Sequence, residues 1–475
     1  MIPTTRRQWL SETAAGFATL GLITNLARDG MLGAAEGFRD GLHHPARIQR
    51  VIQIFLGGGL SHVDSFDYKP ELERLHGQEL PESFGTADVF FGKVGKLHQS
   101  HFAFHQRGES GLWVSELFPH LAEQADRLTV VRSMTAETAN HIPAIFQANT
   151  GFRQMGFPAL GAWLSWGLGT ENEDLPSFVV LPDARGIPNA AGGVFNWTSG
   201  FLPAAHQGVA MDARRDVPIH DLESREDDPN TIEARRLFQR RLNEAHAAER
   251  GNADPLVARI QSYALAARMQ LAIPAATRLE EETAETRDRY GLDDDATRDV
   301  ARNCLIARRL SERGVRMVQI WTGDGVSWDA HDNVLGDGYK SHKGEARRVD
   351  RPLAALIADL HERGLLDSTL VMISTEFGRT PFAQANRGTL SRGRDHHPQG
   401  FTNVLVGGGL KPGFAFGNTD EVGYASVENP VTTYDLHATV LHLLGIDHER
   451  LTFYHNGIQR RLTNVHGHVV RDLIA

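Results

Sequence analysis

Acidic residues and histidines are concentrated in four short polar segments of the sequence, three of which directly follow apolar runs. These segments contain His62, Asp64 and Asp67; Asp329 and His331; Glu376 and Arg379; and Arg394, Asp395, His396 and His397. Hard divalent ions prefer carboxylate ligands, and imidazole suits zinc or manganese. Because no cysteine accompanies them, the segments permit calcium, magnesium, manganese or zinc, and the sequence leaves the ion open.

Two arginines, Arg379 and Arg394, lie inside the same segments. A guanidinium group can bind two oxygens of a tetrahedral anion at once, although an isolated arginine more often forms a surface salt bridge. We therefore predict a pocket for a sulfate- or phosphate-type anion. His62 and His397 are the further candidates for substrate binding, and a turn or capping role is the alternative for His62.

A fifth polar segment, residues 135–141, precedes an apolar stretch that has the pattern of a helix. A helix N-terminus favours a bound anion and can activate a nucleophile placed there. Thr138, Asn140 and His141 are the catalytic candidates. Threonine and asparagine are also preferred helix caps, which is the simpler explanation for Thr138 or Asn140 alone. His141 has no such explanation, although a buried, hydrogen-bonded histidine is the alternative.

The elements that must position these residues alternate along the chain. Short apolar runs that end at glycine or a polar cluster predict buried parallel strands over Val51–Leu56, Leu128–Met134, Phe178–Leu181, Val315–Trp321, Leu370–Ser374 and Val404–Val406. Helical patterns cover Ser115–Ala125, Ile142–Ala148, Ala159–Leu168, Pro352–Gly364 and Tyr434–Leu444. This alternation predicts one α/β domain, residues 45–475, with a doubly wound sheet and helices on both faces. Residues 228–313 have almost no strand signal and are predicted to be a helical insertion.

Strand ends matter because ligands of open α/β sheets gather at the carboxyl ends of the strands.

Bulk composition limits the other functions that are open to the chain. Its 475 residues carry a formal net charge of -10, so nothing in the overall field attracts nucleic acid or an anionic membrane, and an anionic substrate must be held locally. The single cysteine, Cys304, excludes an intrachain disulfide framework and is expected to pack in the core.

The first 35 residues differ from the rest of the chain. Arg6-Arg7 precede an apolar stretch over residues 14–26, an order typical of a twin-arginine export signal. The stretch is too short to span a bilayer. We expect export to the periplasm or beyond and no membrane span in the mature chain; the alternative is a basic amphipathic helix.

Together these motifs resemble the uncharacterised, secreted, sulfatase-like members of the alkaline phosphatase superfamily. The resemblance is carried by Gly58-Gly59 and His62 to Pro70, Trp328 to His331, Glu376-Phe377-Gly378-Arg379-Thr380-Pro381, Gly393 to His396, and the closing stretch from Val404 to Gly445. It implies an alkaline-phosphatase-like fold. It also implies the metal ligands Asp64, Asp329, His331, Glu376, Asp395 and His396.

The sequence also departs from that resemblance at two positions. Counting back from Thr150-Gly151 places His141 where the superfamily has its serine or cysteine nucleophile. Glu376-Phe377 replaces the usual Asp-His pair, which predicts one metal site instead of two. Our first hypothesis is a metal-dependent hydrolase of sulfate or phosphate esters, with a sulfated glycan as substrate by analogy. The alternatives are a non-catalytic, metal-dependent anion- or glycan-binding protein at the cell surface, and a purely structural calcium site.

Overall fold

The computed structural model describes residues 42–87, 89–90, 93–213, 272–385 and 391–475, with isolated positions between 237 and 269. The predicted export signal, residues 1–35, lies outside the described residues, as does most of the predicted insertion before residue 272. Among the described helices, none has both the length and the apolar composition needed to cross a membrane.

Short strands dominate the described chain. In order they are β1 (Arg50–Phe55), β2 (Val94–Leu97), β3 (Phe104–Arg107), β4 (Leu112–Ser115), β5 (Leu128–Thr135), β6 (Phe178–Leu181), β7 (Val209–Ala210), β8 (Met317–Trp321), β9 (Thr369–Ser374), β10 (Gly378–Arg379), β11 (Phe382–Gln384), β12 (His396–His397), β13 (Phe401–Gly407), β14 (Phe414–Phe416), β15 (Asn418–Thr419), β16 (Ser426–Glu428), β17 (Val431–Thr432), β18 (Phe453–His455) and β19 (Ile458–Arg460). Eight of them form the path β14-β5-β13-β9-β1-β8-β6-β7, and β17 pairs with β5 to complete a nine-stranded sheet.

Helices flank this sheet. They are α1 (Pro70–Arg74), α2 (Pro119–Ala122), α3 (His141–Thr150), α4 (Leu160–Leu168), α5 (Ala284–Tyr290), α6 (Arg298–Glu312), α7 (His342–Glu362) and α8 (Thr433–Leu443). Of the predicted insertion, residues 228–313, the described part includes the whole of α5 and α6. Cys304 is buried in α6, where we expected a packing role.

The central strands are apolar throughout because both faces of the sheet are covered. On β1, Ile52 and Ile54 pack into one core, together with side chains of α6 and α7. Val51 and Phe55 point the other way, into a second core that contains side chains of α4 and α8. Successive residues of a strand alternate between faces, so each strand contributes to both cores. The predicted α/β sheet with helices on both faces is confirmed.

Three details differ from the predictions. β13, expected to be parallel, runs antiparallel to both of its neighbours, β5 and β9. A run of buried apolar residues reveals burial but not strand direction. The helix predicted over Ser115–Ala125 is only the short α2, because Ser115 ends β4. The helix predicted from Pro352 begins at His342, where the Ser341 side chain accepts a hydrogen bond from Gly344 N.

Candidate metal centre

The parallel strands β9, β1 and β8 are adjacent, so their carboxyl ends bring three loops together at one edge of the sheet. Gly58 lies in the loop after β1, with φ +120°, and its backbone N–H donates to Glu376 at 2.9 Å. A Cβ atom at Gly58 would lie 2.6 Å from the backbone nitrogens of Trp328 and Asp329. Glycine is therefore required here for the loops after β1 and β8 to pack against each other.

One carboxylate oxygen, Asp329 Oδ1, is the centre of the site. Three imidazole nitrogens surround it: His331 Nε2 at 3.0 Å, His396 Nε2 at 3.1 Å and His141 Nε2 at 3.2 Å. Arg379 Nη2 lies 2.7 Å from the same oxygen. Residues from α3, the loop after β8 and β12 thus meet at one point, although they are far apart in the sequence.

The outer nitrogens of two of these histidines have hydrogen-bond acceptors of their own. His141 Nδ1 lies 2.7 Å from Glu376 Oε1, and His396 Nδ1 lies 2.7 Å from the carbonyl oxygen of Ala139. A proton on each Nδ1 leaves a lone pair on each Nε2. The His141 lone pair then faces an anionic oxygen, and the His396 lone pair lies between that oxygen and His331 Nε2, which is 2.9 Å away. A cation among these atoms would stabilise the arrangement. Metal-binding histidines characteristically donate their second N–H to a carboxylate or carbonyl in this way.

A second group overlaps the first. His331, Asp395 and His396 place their ligand atoms within 4.8 Å of one another, as His141, Asp329 and His396 do. Asp395 Oδ1 accepts from the backbone N–H of His396 at 2.8 Å, whereas its buried Oδ2 has no hydrogen-bond partner among the described residues. The two groups share His396. The donor set therefore fits a divalent ion held by imidazole and carboxylate, and it leaves open whether one or two ions bind.

Electrostatics keep Asp329 ionised and His396 neutral, as a metal requires, but favour a proton on His141. Burial opposes ionisation of Asp329, but Arg379 and the three histidines hold the pKa of its carboxyl well below the usual range. Burial lowers the pKa of His396 to about 4, so its imidazole is neutral at physiological pH. Burial also acts to lower the pKa of His141, but hydrogen bonds to Asp329 and Glu376 outweigh it and the pKa is raised. A metal would replace the proton of His141.

Asp64, the expected first ligand, has a different environment. Arg394 forms a two-pronged ion pair with it, with Nε to Oδ2 at 2.5 Å and Nη2 to Oδ1 at 3.1 Å. Ser61 Oγ donates to the same carboxylate at 2.6 Å. Although burial opposes ionisation, Arg394 and Ser61 lower the pKa of Asp64 well below its usual range. Asp64 and Arg394, expected to bind a metal and an anion, instead neutralise each other in the interior.

Arg379 is likewise engaged within the protein. Besides Asp329, it contacts the carbonyl oxygens of Gly58, Gly59 and Arg394, and it is fully buried. The expected anion-binding arginine thus fixes the Asp329 carboxylate and the loop after β1. Five donors and no acceptor make a buried guanidinium dependent on such carbonyls.

The remaining predicted residues support the backbone. Glu376 accepts from Gly58 N and from His141, so it lies behind the imidazole and not beside the other ligand atoms. His62 Nε2 contacts the Gly423 carbonyl at 2.8 Å, and His397 Nε2 contacts that of Tyr424. Burial lowers the pKa of both histidines, to about 3 for His397. Neither imidazole contacts Asp329 in the described part of the chain.

The candidates at the start of α3 separate into one that reaches the centre and two that do not. Asn140 occupies the N-cap position without a side-chain capping bond, and Thr138 Oγ1 accepts from Asn140 N at 3.2 Å. Among the described contacts, neither side chain reaches Asp329. His141, the first residue of α3, does. At the position expected for a nucleophile, this chain has a ligand-type histidine.

Two neighbours of the centre were missed from the sequence. Lys340 Nζ lies 3.0 Å from Asp329 Oδ2, and the Phe90 ring stacks on His396 with 5.6 Å between centroids. The signal for Lys340 was its place in a glycine-containing loop directly after the Asp329 segment. No comparable motif surrounds Phe90.

The chain is thus an α/β protein with a candidate metal site at the carboxyl edge of its sheet. The chain belongs to the DUF1501 family: residues 48–474 match the family described as "Protein of unknown function (DUF1501)". This confirms the expectation of a family without an established function. No curated protein matches the sequence.

Several solved structures, among them a phosphonate monoester hydrolase and an alkaline phosphatase, are distantly similar. The phosphonate monoester hydrolase SpPMH from Silicibacter pomeroyi is 14% identical, with 75% of this chain and 71% of that chain covered and a TM-score of 0.34. The zinc complex of the periplasmic domain of EcEptC from Escherichia coli is 9% identical, covers 86% of each chain and has a TM-score of 0.37. The alkaline phosphatase from the Antarctic bacterium TAB5 is 8% identical, with 78% and 94% covered and a TM-score of 0.32. At these scores the similarity says nothing about activity.

Proposed function

We propose that this protein is a metal-dependent hydrolase of sulfate or phosphate esters. The observation that carries the proposal is the convergence of His141 and His396 on Asp329 Oδ1, with the Nδ1 atom of each imidazole held by an acceptor of its own. Such a donor set is costly to bury unless a cation joins it. It lies at the carboxyl edge of the sheet, where open α/β proteins bind their ligands.

We assign the following roles to the residues of the site. His141, Asp329 and His396 would hold a divalent ion, with His331 and Asp395 available beside them. A bound ion supplies a positive charge that polarises the ester and lowers the pKa of water. Arg379 fixes Asp329, while Glu376 and the Ala139 carbonyl orient the imidazoles. Since His141 takes the helix-start position, we assign the nucleophile to water and not to a side chain.

The donor set also narrows the choice of ion. Calcium and magnesium prefer oxygen ligands, whereas imidazole nitrogens favour zinc and other transition metals. Three histidines and two aspartates surround the centre. We therefore propose zinc or manganese ahead of calcium or magnesium. The twin-arginine-type signal, Arg6-Arg7 with its apolar stretch, supports export of the protein to the periplasm or beyond.

The proposal is tested by metal analysis and turnover together. Purified protein is analysed for bound metal, then assayed with 4-nitrophenyl phosphate, 4-nitrophenyl sulfate and sulfated polysaccharides, before and after chelation. We expect turnover that chelation abolishes and metal restores. Asp329→Asn should lower turnover at least about 100-fold. Asp367→Asn is the matched control, because Asp367 is exposed and lies just before β9, at the opposite end of that strand from the site.

A second function, metal-dependent anion or glycan binding without catalysis, is favoured by a specific observation. Arg379 and Arg394 are engaged internally, and α3 begins with a histidine in place of a hydroxyl or thiol nucleophile. Stoichiometric metal with no turnover of any substrate, together with metal-dependent retention of sulfated polysaccharides, would replace the hydrolase by this binding protein.

A further inference from the structure

We propose that residues 336–341, the 336–341 loop, recognise the substrate of this site: Lys340 binds the anionic ester group and Tyr339 packs against the ring of its alcohol. The inference rests on the proposed function for the location of the site, but its binding measurements do not depend on turnover. It assigns a substrate class, sulfate or phosphate esters of a ring-bearing alcohol such as a sugar. With a formal net charge of -10 on the chain, such an anion needs a local cation.

Lys340 is suited to this role by position and exposure. Its ammonium group lies 3.0 Å from Asp329 Oδ2, whereas the three imidazoles approach the other oxygen, Oδ1. The Lys340 side chain is 45% exposed, so a ligand can reach it at the edge of the metal centre. Arg379 and Arg394 are 0% and 1% exposed and are engaged within the protein. Lys340 is therefore the cationic side chain at Asp329 that remains accessible to an anion.

The backbone of the 336–341 loop holds Lys340 in an unusual conformation. Lys340 has φ +58°, a left-handed geometry that side chains other than glycine and asparagine rarely adopt. The Ser341 hydroxyl contacts the carbonyl oxygens of Gly336 and Gly338, and Gly344 N donates to Gly336 O at 3.0 Å. Such strain persists where the surroundings fix it, and it is concentrated at ligand-binding sites.

Tyr339 offers a ring surface next to this charge. Its side chain is 49% exposed, and the Arg185 guanidinium lies over the ring, 5.3 Å from its centroid. Arg185 is in turn held by Asp183 at 3.0 Å and by Glu345 at 2.7 Å. These ion pairs immobilise Arg185, so the tyrosine ring has a rigid support, and they prevent Arg185 from competing with Lys340 for the anion.

Tyr339 and Lys340 are consecutive residues of the 336–341 loop, and both side chains are partly exposed. A ligand that satisfies both has its anionic group attached directly to a ring-bearing alcohol. Sulfated or phosphorylated sugars and aryl esters both have this architecture, and sugar rings pack their C–H faces on aromatic side chains. The binding measurements must therefore distinguish the contribution of the Lys340 charge from that of the Tyr339 ring. They must also distinguish a sugar ester from an aryl ester.

The charge is tested with Lys340→Gln, and Lys343→Gln is the matched control because Lys343 pairs with the surface residue Asp337. Calorimetry on the metal-loaded protein measures the Kd of inorganic sulfate and inorganic phosphate, and a separate titration measures the Kd of the metal. For Lys340→Gln we expect anion affinity to fall about tenfold or more, with metal affinity unchanged or higher. Lys343→Gln should change neither. Unchanged anion affinity in Lys340→Gln, or an equal loss of metal affinity, overturns the inference.

The ring is tested with Tyr339→Ala and Tyr339→Phe, with Tyr454→Ala as a control at another exposed tyrosine. The probes are glucose 6-sulfate, 4-nitrophenyl sulfate and inorganic sulfate. Tyr339→Ala should weaken the binding of glucose 6-sulfate about three- to tenfold and leave the binding of inorganic sulfate unchanged. Tyr339→Phe should retain the wild-type affinity for glucose 6-sulfate. If Tyr339→Ala changes the Kd of 4-nitrophenyl sulfate alone, the assignment of a sugar substrate is overturned. If it changes the Kd of all three probes equally, the proposed contact between Tyr339 and the substrate ring is overturned. Wild-type binding without turnover would contradict the hydrolase but leave this recognition intact.

Discussion

Asp64 and Asp329 are two buried aspartates, and sequence motifs predicted both of them as metal ligands. Each follows one of the adjacent strands β1 and β8. Asp64 meets a two-pronged guanidinium and a serine hydroxyl, so donors with protons satisfy both of its oxygens. Asp329 Oδ1 meets one guanidinium nitrogen and three imidazole nitrogens. Of two motif carboxylates, one is an internal salt bridge and the other is the centre of a site.

The difference lies in where the protons of the neighbours are. The Arg394 N–H groups point at Asp64 and stabilise its charge without further help. Around Asp329, Glu376 and a backbone carbonyl accept from the Nδ1 atoms of His141 and His396, so each imidazole in its neutral form turns the unprotonated Nε2 towards the site. A cation between these nitrogens and the carboxylate stabilises the arrangement, and it can be a proton on His141, whose pKa is raised, or a metal ion that takes the place of that proton.

The largest effect expected from this comparison is loss of stability when the Asp64 pair is broken. Arg394→Ala leaves a buried carboxylate without its partner, and such losses typically cost about 3–5 kcal/mol. We expect the free energy of unfolding, measured by urea denaturation, to fall by this amount. The double variant Asp64→Asn with Arg394→Gln should recover part of it, since no uncompensated charge then remains. An Arg394→Ala protein as stable as the wild type would show that Asp64 is not held by this pair.

The next largest effect is a loss of metal affinity at the centre around Asp329. Glu376→Gln removes the negative charge that orients His141, and groups that orient metal ligands change metal affinity by about 10- to 100-fold. Calorimetric titration with zinc and manganese measures the loss. Glu173→Gln, on the pocket beside β6, is a control at a glutamate distant in the fold from the loops after β1 and β8. Unchanged metal affinity in Glu376→Gln would mean that His141 is not a ligand.

The two aspartates should also differ in their response to pH. The raised pKa of His141 means that its proton competes with a metal as the pH falls from 8 towards 5.5, so metal affinity should drop about tenfold per pH unit below that pKa. His396, with its pKa lowered to about 4, stays neutral over this range and adds no second proton. Metal titrations in buffers of different ionisation enthalpy should therefore detect release of about one proton. The Asp64 pair stays charged throughout, because the pKa of Asp64 lies well below its usual range.

Much of the fold was predictable, since six apolar runs matched six strands of the main sheet, with every strand end within three residues of the prediction. Burial on both faces makes such strands apolar throughout, which the sequence displays directly. The antiparallel direction of β13 was not predictable, because direction depends on where the preceding connection crosses the sheet. Residues 228–313 were assigned to a helical insertion, and most of those before residue 272 lie outside the described residues.

The site was predictable in its location but not in the roles within it. Sequence motifs correctly indicated that Asp329, His331, Asp395 and His396 come together. They could not indicate that Arg394 pairs with Asp64, because a guanidinium that binds a carboxylate and one that binds a sulfate have the same sequence. Lys340 was missed because its importance comes from its backbone conformation and its exposed ammonium group, and a sequence motif displays neither.

The smallest effect concerns the hydroxyl that completes the Asp64 environment. Ser61→Ala removes one hydrogen bond to a buried carboxylate that keeps its guanidinium partner, which should lower the free energy of unfolding by about 1–2 kcal/mol. Metal affinity should not change, because Asp64 is not a ligand in our assignment. Thr375→Val is the counterpart at the metal centre, since Thr375 Oγ1 lies 3.1 Å from Glu376 Oε2 and 2.9 Å from the Leu56 carbonyl, its alternative acceptor. This change should weaken metal binding severalfold. If Ser61→Ala also weakens metal binding, the two aspartates belong to one coupled site, and the separation between salt bridge and metal centre does not hold.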